Sequence, residues 1–211
     1  MKTKEDAQKL AEQMVQIGNL AGREVRCILT PMDQPLGYAV GNYLEVIEAI
    51  NFLKGDMPKD LKEVVLELGA NMLQLAGNGT NIEENKLKIL ESVENGSAYN
   101  KFVEMVQNQG GDISYLEDTT KFEKSKYVSA VVTQRTGTVK EINAQKIGEL
   151  ACYLGSGRIN KEDQIEPNVG IILNKKVGDT VEEQDFLAYI CANDEAKLRE
   201  AEKRLLEIYE I

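Results

Sequence analysis

Through the first half of the chain, apolar residues recur every three to four positions, which is the spacing of one face of a helix. Residues 2–21 place Leu10, Met14, Val15 and Ile17 on such a face. Thr3 with Asp6 has the form of a capping box, and Gly22 stands where a helix would stop. VRCIL, residues 25–29, is a short apolar run that predicts a strand buried on both faces. Helical spacing resumes over residues 40–54, closed by Gly55. It returns over 61–76, with Leu61, Val64, Val65, Leu68, Met72 and Leu75 in its stripe, and again over 82–95 and 97–108, split at Asn95-Gly96. Helix, strand, loop and helix in succession read as α/β. Residues 1–110 are therefore expected to form an α/β lobe, mostly helical, with an incomplete parallel sheet.

The texture then changes. QGGDISYLEDTTKFEKSK is polar and glycine-bearing, and residues 111–126 are read as a linker. YVSAVVT (127–133) is rich in β-branched residues, RTG (135–137) is a turn, and TVKEI (138–142) alternates. A short helix is expected over 144–155 and a strand, turn and strand over 168–190. A charged amphipathic helix is expected over 195–207. Residues 127–211 read as a C-terminal α+β domain with a sandwich-like β core.

Composition narrows the function. A chain of 211 residues suits one large domain or two small ones, and 42% hydrophobic content supports a real core. The net charge of −10 argues against a nucleic-acid partner, since phosphate binding needs a basic face. No apolar run reaches the roughly 18 residues of a membrane span. Cys27, Cys152 and Cys191 are widely spaced in apolar surroundings, as buried small residues of a reducing, cytoplasmic compartment would be. The chain has no histidine, which removes the commonest acid/base group at neutral pH and most transition-metal sites.

Several short motifs carry candidate chemistry. GTV (137–139), KKVGDTV (175–181) and FLAYI (186–190) resemble the half-repeats of biotinyl and lipoyl carrier domains. The modified lysine's setting is missing, however, so the pattern reads as scaffold, with Lys175 and Lys176 as solvated charge. GSGR (155–158) fits an anion-binding nest or a helix C-cap, and GNGTN (77–81) fits the same pair of readings. QPLGYAVGN (34–42) is neutral where a connecting loop is normally polar. Pro35 and Gly37 allow a turn that aims carbonyl oxygens inward, with Glu45 and Glu48 on the helix behind. A few carbonyls and one carboxylate form a low-charge oxygen cage suited to a monovalent cation such as K⁺, whereas Ca²⁺ recruits more carboxylates and Mg²⁺ keeps waters. A helix-entry loop packed against the sheet explains the residues as well.

MKTKEDAQKLAEQMVQIG, TPMDQPLGYAVGNYLEVIEAI, FLKGDMPKDLKEVVLELG and LGSGRINKEDQIEPNVGIILNKKVGDTVEE together resemble the pyrimidine-nucleoside phosphorylases, thymidine phosphorylase among them. The resemblance covers nearly the whole chain but corresponds to the C-terminal half of such an enzyme. It implies phosphorolysis of a pyrimidine nucleoside to free base and pentose 1-phosphate. It also implies a K⁺ site whose ligands fall here on the carbonyls of Leu36 and Ala39 and the carboxylate of Glu48, with Glu45 a neighbour. The family's phosphate loop, Lys-His-Ser-Thr-Gly-Gly, and its base-holding Arg, Ser and Lys belong to the other half, and a chain without histidine cannot contain that loop. The expectation is therefore no catalytic or substrate-binding residue in this chain, no activity alone, and an incomplete K⁺ cage. Nucleoside and phosphate would be partners only with the other half supplied. Copies are expected to associate, through the strand edge at 25–29 or the neighbouring helices. The alternatives are a subunit completing an enzyme with a separate N-terminal chain, or a non-catalytic binding or scaffold module.

Overall fold

The computed structural model describes residues 3–211; Met1 and Lys2, where the first expected helix begins, lie outside the described residues. The chain folds as a helical α/β lobe followed by an α+β C-terminal domain. The lobe holds α1 (Lys4–Leu20), β1 (Ala39–Val40), α2 (Asn42–Leu53), α3 (Lys59–Leu75), α4 (Ile82–Glu94) and α5 (Ser97–Asn108). Two of the lobe's helices, α1 and α4, start at side-chain caps. The Thr3 hydroxyl accepts from the Asp6 amide at α1, and the Asn81 side chain accepts from the Glu83 and Glu84 amides at α4. The polar stretch after α5 contains a short helix, α6 (Ser114–Glu117), and a 3₁₀ turn over Thr119–Lys121.

The rest of the chain carries β2 (Tyr127–Val132), β3 (Gly137–Thr138), β4 (Glu141–Ile142), α7 (Ala144–Ala151), β5 (Gly170–Leu173), β6 (Thr180–Val181), β7 (Phe186–Ala192), α8 (Glu195–Ile208) and β8 (Tyr209–Glu210). The four-stranded sheet runs β1-β5-β7-β2, and two small ladders pair β3 with β6 and β4 with β8. The core lies here. Leu154, Ile171, Leu187, Ile190 and Leu205 are fully buried between this sheet, α7 and α8. Tyr209, also buried, gives its hydroxyl to the carbonyls of Lys175 and Leu187, and burial pushes its pKa up.

Two expectations change. Every ladder among the described residues is antiparallel, and residues 25–29 join none of them. A strand needs a neighbour for its N–H and C=O groups. Residues 25–29 have none among the described residues, and Cys27 and Leu29 are exposed. Cys191 is buried as expected and Cys152 half-buried. The lobe is also joined to the C-terminal sheet by backbone. β1 comes from the lobe, yet it pairs with β5, with Ala39 opposite Ile172 and Val40 opposite Ile171. That approach requires glycine at 170, where φ is +153° and a Cβ would sit 2.2 Å from the Val40 carbonyl oxygen.

Burial separates the two regions energetically. Leu205→Ala should cost about 2–5 kcal/mol in urea unfolding, because the side chain is fully enclosed. Met72→Ala, on the exposed stripe of α3, should stay within roughly 0.5 kcal/mol of the parent protein.

Candidate functional site

The site is the turn at residues 34–41 and the groups that close around it. Gly37 bends the chain with φ of +69°. Tyr38 then leads into β1. The Leu173 amide donates to the Tyr38 carbonyl at 2.8 Å. In an antiparallel ladder, bonded and non-bonded pairs alternate. Ala39, opposite Ile172, therefore turns its N–H and carbonyl away from β5. Glu48 meets that outward edge from α2. Its Oε1 accepts from the amides of Tyr38 (2.7 Å) and Ala39 (3.2 Å). Its Oε2 lies against Gly37, so close that a Cβ there would stand 2.2 Å away. Glu45, one turn earlier, takes the Gly41 amide at 3.0 Å and closes the start of α2.

Glu48 is half-buried. Desolvation pushes its pKa above the usual glutamate value, the two amides pull it back in part, and the nearby charge of Asp60 adds to the rise. The Leu36 carbonyl takes no protein hydrogen bond among the described residues. Two of the three expected site residues, Leu36 and Ala39, thus lie on one turn, and the third, Glu48, meets it from α2. Ala39 is buried, Leu36 half exposed, and Glu48 is bound to the turn's amides. Ala39, Glu48, Leu44, Ile47, Met57 and Ile172 face a hollow of about 560 Å³ beside the turn.

Lys176 lies on the opposite side of the turn, and here the sequence reading was wrong. It is 8% exposed, not solvated. Its ammonium donates to the carbonyls of Pro35 and Gly37, the latter at 2.6 Å, and pairs with Asp60 Oδ2 at 2.8 Å. An ammonium has three N–H donors, and these are three oxygens. Asp60 also accepts from the Gly37 amide at 3.1 Å. Burial raises the Asp60 pKa, but the lysine's hydrogen bond and charge, with the Leu61 and Gly37 amides, outweigh it and leave the carboxyl below its ordinary range. One residue on, the Val177 amide donates to the Gln34 side chain at 2.9 Å. Lys175, the other lysine read as solvated, is paired with Asp185 at 3.1 Å.

Asp60 and Lys176 are the site members that sequence reasoning missed. Lys176 is 141 residues from Pro35, and no local pattern could signal that meeting. The remaining motifs lie at helix ends. GSGR ends α7 in a π-helical turn over Cys152–Ser156, and the Ser156 carbonyl takes the Asn42 side-chain amide at 2.8 Å. GNGTN joins α3 to α4 and supplies the Asn81 cap.

The turn tolerates no side chain at position 37. Gly37→Ala should lower stability by more than about 1 kcal/mol in chemical denaturation, since it adds both strain at positive φ and a clash with Glu48.

Comparison with known proteins agrees with this architecture. The family described as the pyrimidine nucleoside phosphorylase C-terminal domain matches residues 138–211, and the glycosyl transferase family a/b domain matches residues 1–99. The chain is 47% identical over 195 residues to the pyrimidine-nucleoside phosphorylase of Bacillus subtilis (strain 168), covering 92% of this chain and 45% of that protein. It is 45% identical over 211 residues to that of Staphylococcus haemolyticus (strain JCSC1435), covering 100% of this chain and 48% of the relative. The chain thus spans about half the length of the curated relatives it matches. With both domain families matched in order and this degree of identity along its length, the chain belongs to the pyrimidine-nucleoside phosphorylase family.

Proposed function

We propose that these 211 residues supply the C-terminal half of a pyrimidine-nucleoside phosphorylase, which splits a pyrimidine nucleoside with phosphate into free base and pentose 1-phosphate. The observation that carries this reading is the 45% identity over 211 residues, covering 100% of this chain, to a protein named for that activity. Residues 1–110 act as the end of the α/β domain, 111–126 as a connector and 127–211 as the C-terminal domain. Among the described residues no helix is long and apolar enough to cross a membrane. We place the chain in the cytoplasm, on its three free cysteines.

The chain's own contribution is a rigid wall beside the hollow, with a prepared turn at its edge. The resemblance implies a potassium ion at that turn, and the residues fit one. The Leu36 carbonyl is without a protein donor among the described residues, the Ala39 carbonyl lies on the edge that faces Glu48, and Glu48 is an anion partly stripped of water. Large monovalent cations suit such neutral oxygens with a single carboxylate. A bound ion would supply positive charge that offsets the Glu48 carboxylate, and it would need further oxygen ligands from the complementary half. Leu36 and Ala39 hold it through backbone and Glu48 through its carboxylate. Phosphorolysis then relies on positioning and electrostatics supplied jointly by both halves. With half of the cage, the chain alone binds the ion weakly. Copies associate through α1, whose Met14, Ile17 and Leu20 are exposed, rather than through a strand edge.

The decisive experiment assays phosphate-dependent release of thymine from thymidine and uracil from uridine. The 211-residue protein is tested alone and after co-expression with the N-terminal half of a relative. No release is expected alone and clear release when complemented. Turnover of roughly 1 per second or more by the chain alone overturns its dependence on the other half, and release in neither arm overturns the phosphorylase reading. For the ion, KCl should raise the thermal midpoint above that in choline chloride of equal ionic strength, because a ligand bound only by the folded state stabilises it. Glu48→Gln should abolish the difference.

A further inference from the structure

The turn at 34–41 carries cation-binding groups on two sides, and one side is already filled. Pro35 and Gly37 direct their carbonyls at the Lys176 ammonium, with Asp60 Oδ2 completing three oxygens around it. The Tyr38 ring lies 5.5 Å from the same nitrogen. Leu36 and Ala39 are the neighbours whose carbonyls neither Lys176 nor β5 takes. We propose that Lys176 is a positioning residue: a tethered cation, carried by the C-terminal domain, that sets the shape of this turn and so presents the edge occupied by Glu48.

The physical argument runs through burial and valence. An ammonium removed from water is costly unless every donor finds an acceptor. Satisfying Lys176 demands that two carbonyls of one tight turn converge from alternate residues, 35 and 37. That convergence orients the peptide units 35–36 and 37–38, the second of which carries the Tyr38 N–H. Asp60 reinforces it, because it binds the ammonium and the Gly37 amide together. Glu48 then reads the result, since its Oε1 reaches the amides of Tyr38 and Ala39 only if both point to one place. The Val177 amide, on the Gln34 side chain, pins the start of the same turn from the same domain. Carbonyls and a carboxylate around an ammonium are also what a bare monovalent ion would use, so the C-terminal domain brings its own cation to the turn. The consequence for potassium rests on the reading given above; the ordering of the turn does not.

The test is hydrogen exchange on the full 211-residue protein, with resolution at the amides of Gly37, Tyr38 and Ala39. In Lys176→Ala these amides should exchange at least about tenfold faster, while those of Ile190 and Ala192 in β7 keep their wild-type rates. Propylammonium chloride, which replaces the deleted atoms, should restore protection, and n-propanol should not. Should K176A fail to fold, Asp60→Asn carries the same exchange readout with the lysine in place. Wild-type rates at 37–39, a uniform loss of protection through β7, or equal rescue by propanol would each overturn the proposal. The thermal shift by KCl, measured alongside, should vanish in K176A. If wild-type protein shows no such shift, the potassium reading falls, and the exchange rates still decide the role of Lys176.

Discussion

A positive charge buried in protein must be surrounded by oxygen, and the arrangement around Lys176 follows from that requirement. Water can no longer solvate its ammonium, so Pro35, Gly37 and Asp60 do. These groups come from a turn and a helix start far away in the chain. One side chain thereby holds together the turn, the beginning of α3 and the loop before β6. Such a group contributes little net stability compared with an apolar core residue, but it is strongly selective for one geometry. The core beneath, built on Ile171, Leu187, Ile190 and Leu205, makes the platform from which the lysine reaches.

Glu48 makes the complementary contact. One carboxylate oxygen takes two backbone amides, and the other rests against a residue that must be glycine. Between Lys176 on one side and Glu48 on the other, the turn presents carbonyls to the cation and N–H groups to the anion. A neutral loop sequence is what this division of labour calls for. Charged side chains in 34–42 would compete with the backbone for the same partners.

Much of this was legible in the residues. Helical periodicity located α1 to α5 and α8 to within a few positions, because amphipathic stripes and a cap such as Thr3 are local signals. The turn at 34–42 was recognisable for its neutrality and its proline and glycine. Glu45 and Glu48 both stood behind it on the following helix, and only the family resemblance singled out Glu48. Pairings that depend on distant partners were not visible. An apolar run like 25–29 looks the same whether or not a neighbouring strand exists. A lysine before a Val-Gly-Asp turn looks solvated until the fold brings Asp60 to it. The two-residue strand β1 was also beyond reach, since only the approach of β5 makes those residues a strand.

That pairing decides which parts of the molecule can move. β1 leads directly into α2, so the helix is fastened to the C-terminal sheet by backbone hydrogen bonds, by Tyr43 N–H to the Pro167 carbonyl and by Asn42 to Ser156. Any flexing of the helical lobe must therefore pivot beyond α2, at the connections flanking it, while α2 and the sheet swing as one body. Glu48 rides on the sheet's side of that pivot, and Asp60 stands across it, tied to the turn through the Lys176 ammonium and the Gly37 amide.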